Sequence, residues 1–125
     1  MSVLYLCVDD DAITLMLNRK IIERAVPGAT ILTALNGSLA LSRFNDQSSD
    51  PILVLLDLNM PVMDGWEFLD RFSEELAERY TNCKVVILTS SVDPRDEERA
   101  KSYPCVIGFL SKPLSMDRVK ALSLN

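Results

Sequence analysis

The apolar runs of this chain end on residues that carry or donate charge, and that repetition restricts the fold more than any other feature. Val3-Leu4-Tyr5-Leu6-Cys7-Val8 leads directly into Asp9, Asp10 and Asp11, and the run from Pro51 to Leu56 ends on Asp57. Val85-Val86-Ile87-Leu88 leads into Thr89-Ser90, and Val106-Ile107-Gly108-Phe109-Leu110 leads into Ser111-Lys112. Strands that finish on charges suggest a parallel sheet whose carboxyl edge is loaded with oxygen ligands. Open sheets of that kind carry their sites outside the carboxyl ends of the strands. The expected edge therefore bears acids, hydroxyls and one amine.

The remaining pattern supplies the helices. Strand-like runs at about 3–8, 29–34, 51–57, 83–90 and 105–110 alternate with helical segments at about 11–25, 36–46, 65–80, 93–102 and 114–123. Five βα units in succession predict an α/β fold with a doubly wound, five-stranded parallel sheet. The punctuation agrees. Pro27-Gly28 stops the first helix, Asn36 offers a cap to the second, Asp64-Gly65 turns into the third, and Asp93-Pro94 sets a cap followed by proline at the first helical position of the fourth. At 125 residues and 48% hydrophobic content the chain reads as one domain with a proper core. The fifth unit fills the residues up to Asn125, so the expectation is a single domain over 1–125 with no output domain.

Composition removes several function classes. A net charge of −5 and the lack of a basic stripe argue against binding a phosphate backbone. No apolar run approaches the roughly 20 residues of a membrane span, and strand-like residues begin at Val3 without a basic leader, so a cytoplasmic protein is expected. With no histidine, a Ser-His-Asp triad, a Cys-His pair and an ordinary zinc site are all excluded. Cys7, Cys83 and Cys105 are odd in number, lack C-x-x-C spacing and lie in or beside apolar runs, which makes them small buried hydrophobes.

Chemistry must then come from carboxylates, hydroxyls, lysine and a bound ion. Carboxylates gathered on one sheet edge repel one another and need a cation, a lysine or shifted pKa values. Oxygen ligands without histidine or thiolate point to magnesium. Asp57, at a strand end and followed by a turn at Pro61, is placed to be a nucleophile. Phosphoryl transfer onto a carboxylate would take Asp9 and Asp10 to hold the metal, Lys112 as a second cation and Thr89 as the hydroxyl donor. The plain alternatives are that Asp10 only caps the first helix, that Lys112 is a solvated lysine before a turn proline, and that Thr89 is a strand-end residue. Asp11 is expected to be a cap, whatever its neighbours do.

The segments Val8-Asp9-Asp10-Asp11, Leu56-Asp57-Leu58-Asn59-Met60-Pro61-Val62-Met63-Asp64-Gly65, Leu88-Thr89-Ser90-Ser91 and Ser111-Lys112-Pro113-Leu114 resemble, in order and spacing, the receiver domain of two-component response regulators. The resemblance covers the whole chain. It implies a CheY-like, flavodoxin-like fold with strand order 2-1-3-4-5. It implies that Asp57 is the phosphoacceptor, served by Thr89 and Lys112, and that its donor is a phosphohistidine on a sensor kinase or phosphotransfer protein. Magnesium would be held by Asp10 directly, Asp9 chiefly through water, Asp57, and the backbone carbonyl of Asn59. Thr89 and Phe109 would form the switch pair, with Phe109 coupling through packing because it has no hydroxyl. Asn59 and Ser91 occupy the positions that tune phosphoryl lifetime, and the Lys112-Pro113 bond is expected to be cis. The downstream target is a protein that the sequence does not identify. The surface of the fourth helix, fifth strand and fifth helix often meets partners in this family, which makes Arg95 and Lys101 candidates by analogy.

The first helix carries more apolar residues than one stripe needs. Leu15, Leu17, Ile21, Ile22 and Ala25 are expected on the core face, with Ile13 and Met16 falling among Lys20, Glu23 and Arg24. Ile13 and Met16 read either as the ragged edge of a core helix or as a docking surface for a partner helix. Trp66, Cys7 and Met63 read as packing, and the charged run from Asp93 to Lys101 as the solvated face of the fourth helix. The expectation is thus a switch and not an enzyme. The competing readings are a constitutive adaptor that no longer takes phosphate and a haloacid dehalogenase-like phosphatase. The latter's motif places a second aspartate two residues after the nucleophile, where this chain has Asn59, and the nucleophile here lies on the third strand with no cap domain.

Overall fold

The computed structural model describes residues 3–44, 52–60, 62–90 and 92–123. In chain order the elements are β1 (Leu4–Val8), α1 (Ala12–Ala25), β2 (Thr30–Ala34), α2 (Gly37–Arg43), β3 (Ile52–Leu56), α3 (Gly65–Glu75), β4 (Cys83–Thr89), α4 (Pro94–Ala100), β5 (Val106–Ser111) and α5 (Met116–Ser123). The strands form one parallel sheet in the order β2-β1-β3-β4-β5, as expected. The chain lays β2 on one side of β1 and then crosses to β3 on the other, so the order reverses between β1 and β3. A sheet of this topology opens its crevice at that reversal.

Strand alternation sorts the core into two layers. Leu6, Val8, Val54, Leu56, Val85 and Ile87 face one side, where Ala40, Phe44, Phe68, Leu69, Phe72 and Ala100 from α2, α3 and α4 cover them. Tyr5, Cys7, Leu53, Leu55, Val86 and Leu88 face the other, against Leu15 and Ile22 of α1 and Val119 of α5. The punctuation works as read. Asp11, Asn36, Asp64 and Asp93 each accept a backbone N–H at the start of α1, α2, α3 and α4. Gly28, after Pro27, takes a φ of 84°. Among the described residues no helix is long and apolar enough to cross a membrane.

Two expectations need correction. The third helix ends at Glu75 and not near 80, although no glycine or proline stops it. The N–H groups of Leu76 and Ala77 both bond the Phe72 carbonyl, and a tight turn then carries Tyr80 back over Phe44, ring edge to ring at 5.1 Å, with its hydroxyl donating to the Phe44 carbonyl. A tertiary anchor overrides local helix preference. On α1 the core stripe is Leu15, Asn18 and Ile22, spaced i, i+3, i+7, while Leu17, expected inside, is 51% exposed. Leu17 lies one residue, about 100°, off that narrow stripe, and it joins Ile13 and Met16 outside.

Glycines pin the loop after β3. Gly65 donates its N–H to the Leu58 carbonyl, and a Cβ there would meet the Asp57 carbonyl oxygen at 2.7 Å and Leu58 Cα at 2.8 Å. A Cβ on Gly108 in β5 would instead make ordinary contact with Val86 at 3.5 Å. Gly65→Ala is expected to lower unfolding stability by about 1–3 kcal/mol through forced backbone movement. Gly108→Ala is expected to be neutral or to stabilise by up to about 1 kcal/mol. Urea unfolding of the two variants side by side checks the contrast; equal losses would mean that the Gly65 approach is not tight.

Candidate functional site

Register builds the site. Val8 pairs with Leu56, and the Asp57 N–H bonds the Val8 carbonyl at 2.9 Å, so Asp9 and Asp57 leave adjacent strands at the same height. Thr89 pairs with Ser111, and the Lys112 N–H bonds the Thr89 carbonyl at 2.7 Å, which sets the lysine beside the end of β4. The Lys112-Pro113 bond is cis, as expected. The Lys112 ammonium lies 2.6 Å from Asp9 Oδ2 and 3.7 Å from Asp57 Oδ1. Asp9, Asp57 and Thr89 are buried, whereas Asp10 and Asn59 are exposed.

Each carboxylate has a distinct task. Asp9 Oδ1 accepts the Asp11 N–H at 2.9 Å, which fixes the first turn beyond β1 and leaves Oδ2 to Lys112. Asp11 turns away as the α1 cap, accepting from the Ile13 N–H and the Thr14 hydroxyl at 3.0 Å each. Asp10 stays outside, yet one oxygen each from Asp9, Asp10 and Asp57 lie within 4.8 Å of one another. Three carboxylates against one ammonium leave two negative charges unbalanced, the amount that one divalent cation neutralises. An all-oxygen donor set partly open to water fits magnesium, which keeps several waters and takes one or two carboxylates. The Asn59 N–H donates to Asp57 Oδ1 at 3.4 Å.

The titration pattern follows from this geometry. Burial, the neighbouring Asp9 charge and Asp10 raise the Asp57 carboxyl above its ordinary value, against the opposing pull of Lys112 and the Asn59 N–H. Partial burial lowers the Lys112 ammonium, but the Asp9 hydrogen bond and the charges of Asp57, Asp9 and Asp10 outweigh it and hold it above its usual range. Burial pushes the Cys7 thiol up to about 12, away from its reactive thiolate form. Burial raises Cys83 and Cys105 as well, and Cys83 is buried as expected, whereas Cys105, just before β5, is only half-buried.

Of the residues singled out in the sequence, Asp9, Asp10, Asp57 and Lys112 converge, with Thr89 at the adjoining strand end. Phe109 lies on β5, half-buried, paired with Ile87 and packed against the α2–α3–α4 side of the core. Ser91 and Pro61 lie outside the described residues. Ile13 and Met16 are 64% and 49% exposed on α1, and Leu17 completes the patch at i, i+3, i+4. Val62 escaped the sequence reading. Its φ of 72° is an outlier for a β-branched residue, and it stands 82% exposed on the loop after Asp57, a strained site beside the pocket. No composition signal marks a valine for that conformation.

A family model for the response regulator receiver domain matches residues 5–123. Sensor histidine kinase GacS of Pseudomonas protegens is 33% identical over 88% of this chain, which corresponds to 12% of that kinase. The two-component response regulator ORR41 of Oryza sativa is 32% identical over 91% of this chain and 86% of the relative. Among solved structures, a two component response regulator from Cytophaga hutchinsonii superposes with a TM-score of 0.87 at 29% identity, covering 98% of this chain and 95% of the other. The chain spans from 7% to 47% of the length of three curated relatives that it matches.

A carboxyl whose folded pKa is raised adds stability that is fully present below its unfolded value and is lost as pH rises through the folded value. In metal-free buffer, Asp57→Asn is therefore expected to be more stable than the native chain at neutral pH. The gain should shrink as pH falls to the ordinary aspartate value of 3.8. Thermal unfolding across that range measures it; a gain unchanged at acid pH would place its origin elsewhere.

Proposed function

Because the chain belongs to the response regulator receiver domain family, a module of two-component signalling, we propose that it is a phosphorylation-driven switch that takes a phosphoryl group on Asp57. One observation carries this reading: three carboxylates with oxygens within 4.8 Å, and Lys112 in reach of the two buried ones. Asp57 Oδ attacks phosphorus in line, the O–P bond forms as the N–P bond of a phosphohistidine breaks, and the imidazole leaves with the bond's electron pair. Asp9, Asp10, Asp57 and the Asn59 carbonyl would hold magnesium. When bound, the ion supplies neutralisation of the acceptor's charge and of the phosphoryl oxygens.

The chain's own residues do the rest. Lys112, fixed by Asp9, pairs with the phosphoryl oxygens. The Thr89 hydroxyl donates to one of them, and Phe109 turns toward the space that Thr89 leaves, which changes the surface beside β5 by population shift. Asn59 and Ser91 set how readily water reaches the acyl phosphate, and the exposure of Asn59 accords with that role. The switch turns over no substrate of its own. Donors are a sensor histidine kinase or a histidine phosphotransfer protein, a class supported by the relatives in which similar sequence forms part of a histidine kinase. Ile13, Met16 and Leu17, one turn beyond the acidic site, form the surface on which that donor docks. Desolvated apolar patches of this kind supply much of an interface's binding energy.

Incubation with acetyl phosphate is expected to add one phosphoryl group by intact mass, dependent on magnesium and abolished in Asp57→Asn. No adduct and no phosphate release would favour a phosphorylation-independent adaptor, and turnover of unrelated phosphoesters would favour a phosphatase. A second expectation concerns docking. With a purified phosphohistidine donor protein, Ile13→Glu combined with Met16→Glu should slow transfer at least about tenfold, since burying an unpaired charge costs more than 1.4 kcal/mol. The rate from acetyl phosphate should change far less. Equal effects on both donors would sink the docking assignment.

A further inference from the structure

Burial does little to hold α4. Of its seven residues the one buried side chain is Ala100, and fewer than two turns fall well short of the ~12 residues at which an isolated helix becomes marginal. Its first turn is stabilised from within. Asp93 caps the Arg95 N–H at 2.9 Å and pairs with its guanidinium at 3.1 Å, Pro94 occupies the first helical position, and the Glu97 N–H bonds the Asp93 carbonyl. Toward β5 the helix borders a cavity of about 200 Å³, lined by Glu97, Ala100, Lys101, Val106, Ile107 and Phe109 among others.

The C-terminal end of α4 is fastened to α3. The Arg99 guanidinium lies 4.2 Å from the centre of the Trp66 ring, and the Tyr103 ring stacks with the same indole at 6.1 Å. The Tyr103 hydroxyl donates to Asp70 Oδ1 at 2.5 Å. Trp66 and Asp70 are an i, i+4 pair on α3, and Tyr103 lies just beyond α4 with its N–H on the Ala100 carbonyl, so one face of α3 receives Arg99 from the helix and Tyr103 from the turn that follows it. The charged run of α4 is therefore not merely a solvated face, since Arg99 covers the indole. From Tyr103 the chain passes directly into β5 through the Val106 N–H on the Tyr103 carbonyl.

We propose that the Trp66–Arg99–Tyr103–Asp70 cluster is a fulcrum that pins the C-terminal end of α4, the end that borders the cavity, to α3 and leaves the N-terminal end free to move. The free end is the one coupled to the site, because the cap Asp93 follows Thr89 by only four residues. What drives the swing rests on the phosphorylation reading above; the pinned end does not.

Hydrogen exchange read by mass spectrometry on the full chain, with no phosphodonor, tests the fulcrum. In the native chain, amides in the first turn of α4 should exchange faster than those from Arg99 to Tyr103. Arg99→Ala and Tyr103→Phe should each raise exchange over 94–103 about fivefold, with β1, β3 and β4 unchanged. Because both side chains depend on Trp66, the double variant should show less than the product of the two effects. Unchanged exchange, or a rise spread evenly through the sheet, would overturn the proposal. The single tryptophan adds a second readout. In protein whose phosphorylation is verified by mass, Trp66 emission should hold steady while protection at the first turn of α4 changes, and a shifted emission with protection lost at Arg99–Tyr103 would also overturn it. If no phosphoryl group adds, the Asp57 reading fails, and the exchange comparison still decides the fulcrum.

Discussion

Two buried carboxylates on neighbouring parallel strands must be kept from repelling each other, and Lys112 does this for Asp9 and Asp57. The pair exists because β1 and β3 are adjacent and in register, Val8 beside Leu56. The lysine reaches it because β5 ends next to β4, with its N–H on the Thr89 carbonyl. Without a cation, such a pair would leave at least one charge uncompensated in a low-dielectric pocket, a penalty of about 3–5 kcal/mol when one partner of a buried pair is lost. Asp9 therefore has a largely electrostatic and positioning role: it orients Lys112 with one oxygen and fixes the turn to Asp10 and Asp11 with the other.

The rest of the edge is arranged around that balance. Gly65 lets α3 approach the backbone of Asp57 and Leu58 closely, where a Cβ would collide with both. Gly37 does the same for α2, bonding the Met63 carbonyl where a Cβ would collide with Met63. Strain at Val62 and exposure at Ile13, Met16 and Leu17 are concentrated around the same edge. On the far side, Phe109 of β5 lines the cavity beside α4, a helix with one buried side chain to hold it. A rigid charge cluster beside a weakly held helix is a sound arrangement for converting a local charge change into a surface change.

How far the sequence could be read depended on whether local chemistry or packing decided each feature. The caps at Asp11, Asn36, Asp64 and Asp93 were legible because a side-chain oxygen before a helical run satisfies N–H groups of its own segment. Asp57 and Lys112 were legible because each closes an apolar strand run, β3 fully buried and β5 at the sheet's edge. The end of α3 was not, since the stop comes from Tyr80 packing on Phe44, thirty-six residues away in sequence. Leu17 was misplaced because a helical wheel gives angles and not the width of the stripe that the sheet will accept. Arg99 was read as solvated because nothing in a charged run tells which member meets an indole on another helix.

The sequence by itself determined the α/β alternation, the helix starts, the acidic and hydroxyl strand ends, and the exclusion of histidine and thiol chemistry. Those follow from residue type and local period, which act over a few positions. Tertiary structure decided which strand ends stand together, that Lys112 joins Asp9 more closely than Asp57, which face of α1 is left bare, and that α4 is fastened at one end. Each of these depends on strand order, register and side-chain volume, which arise only when the two layers close on the sheet.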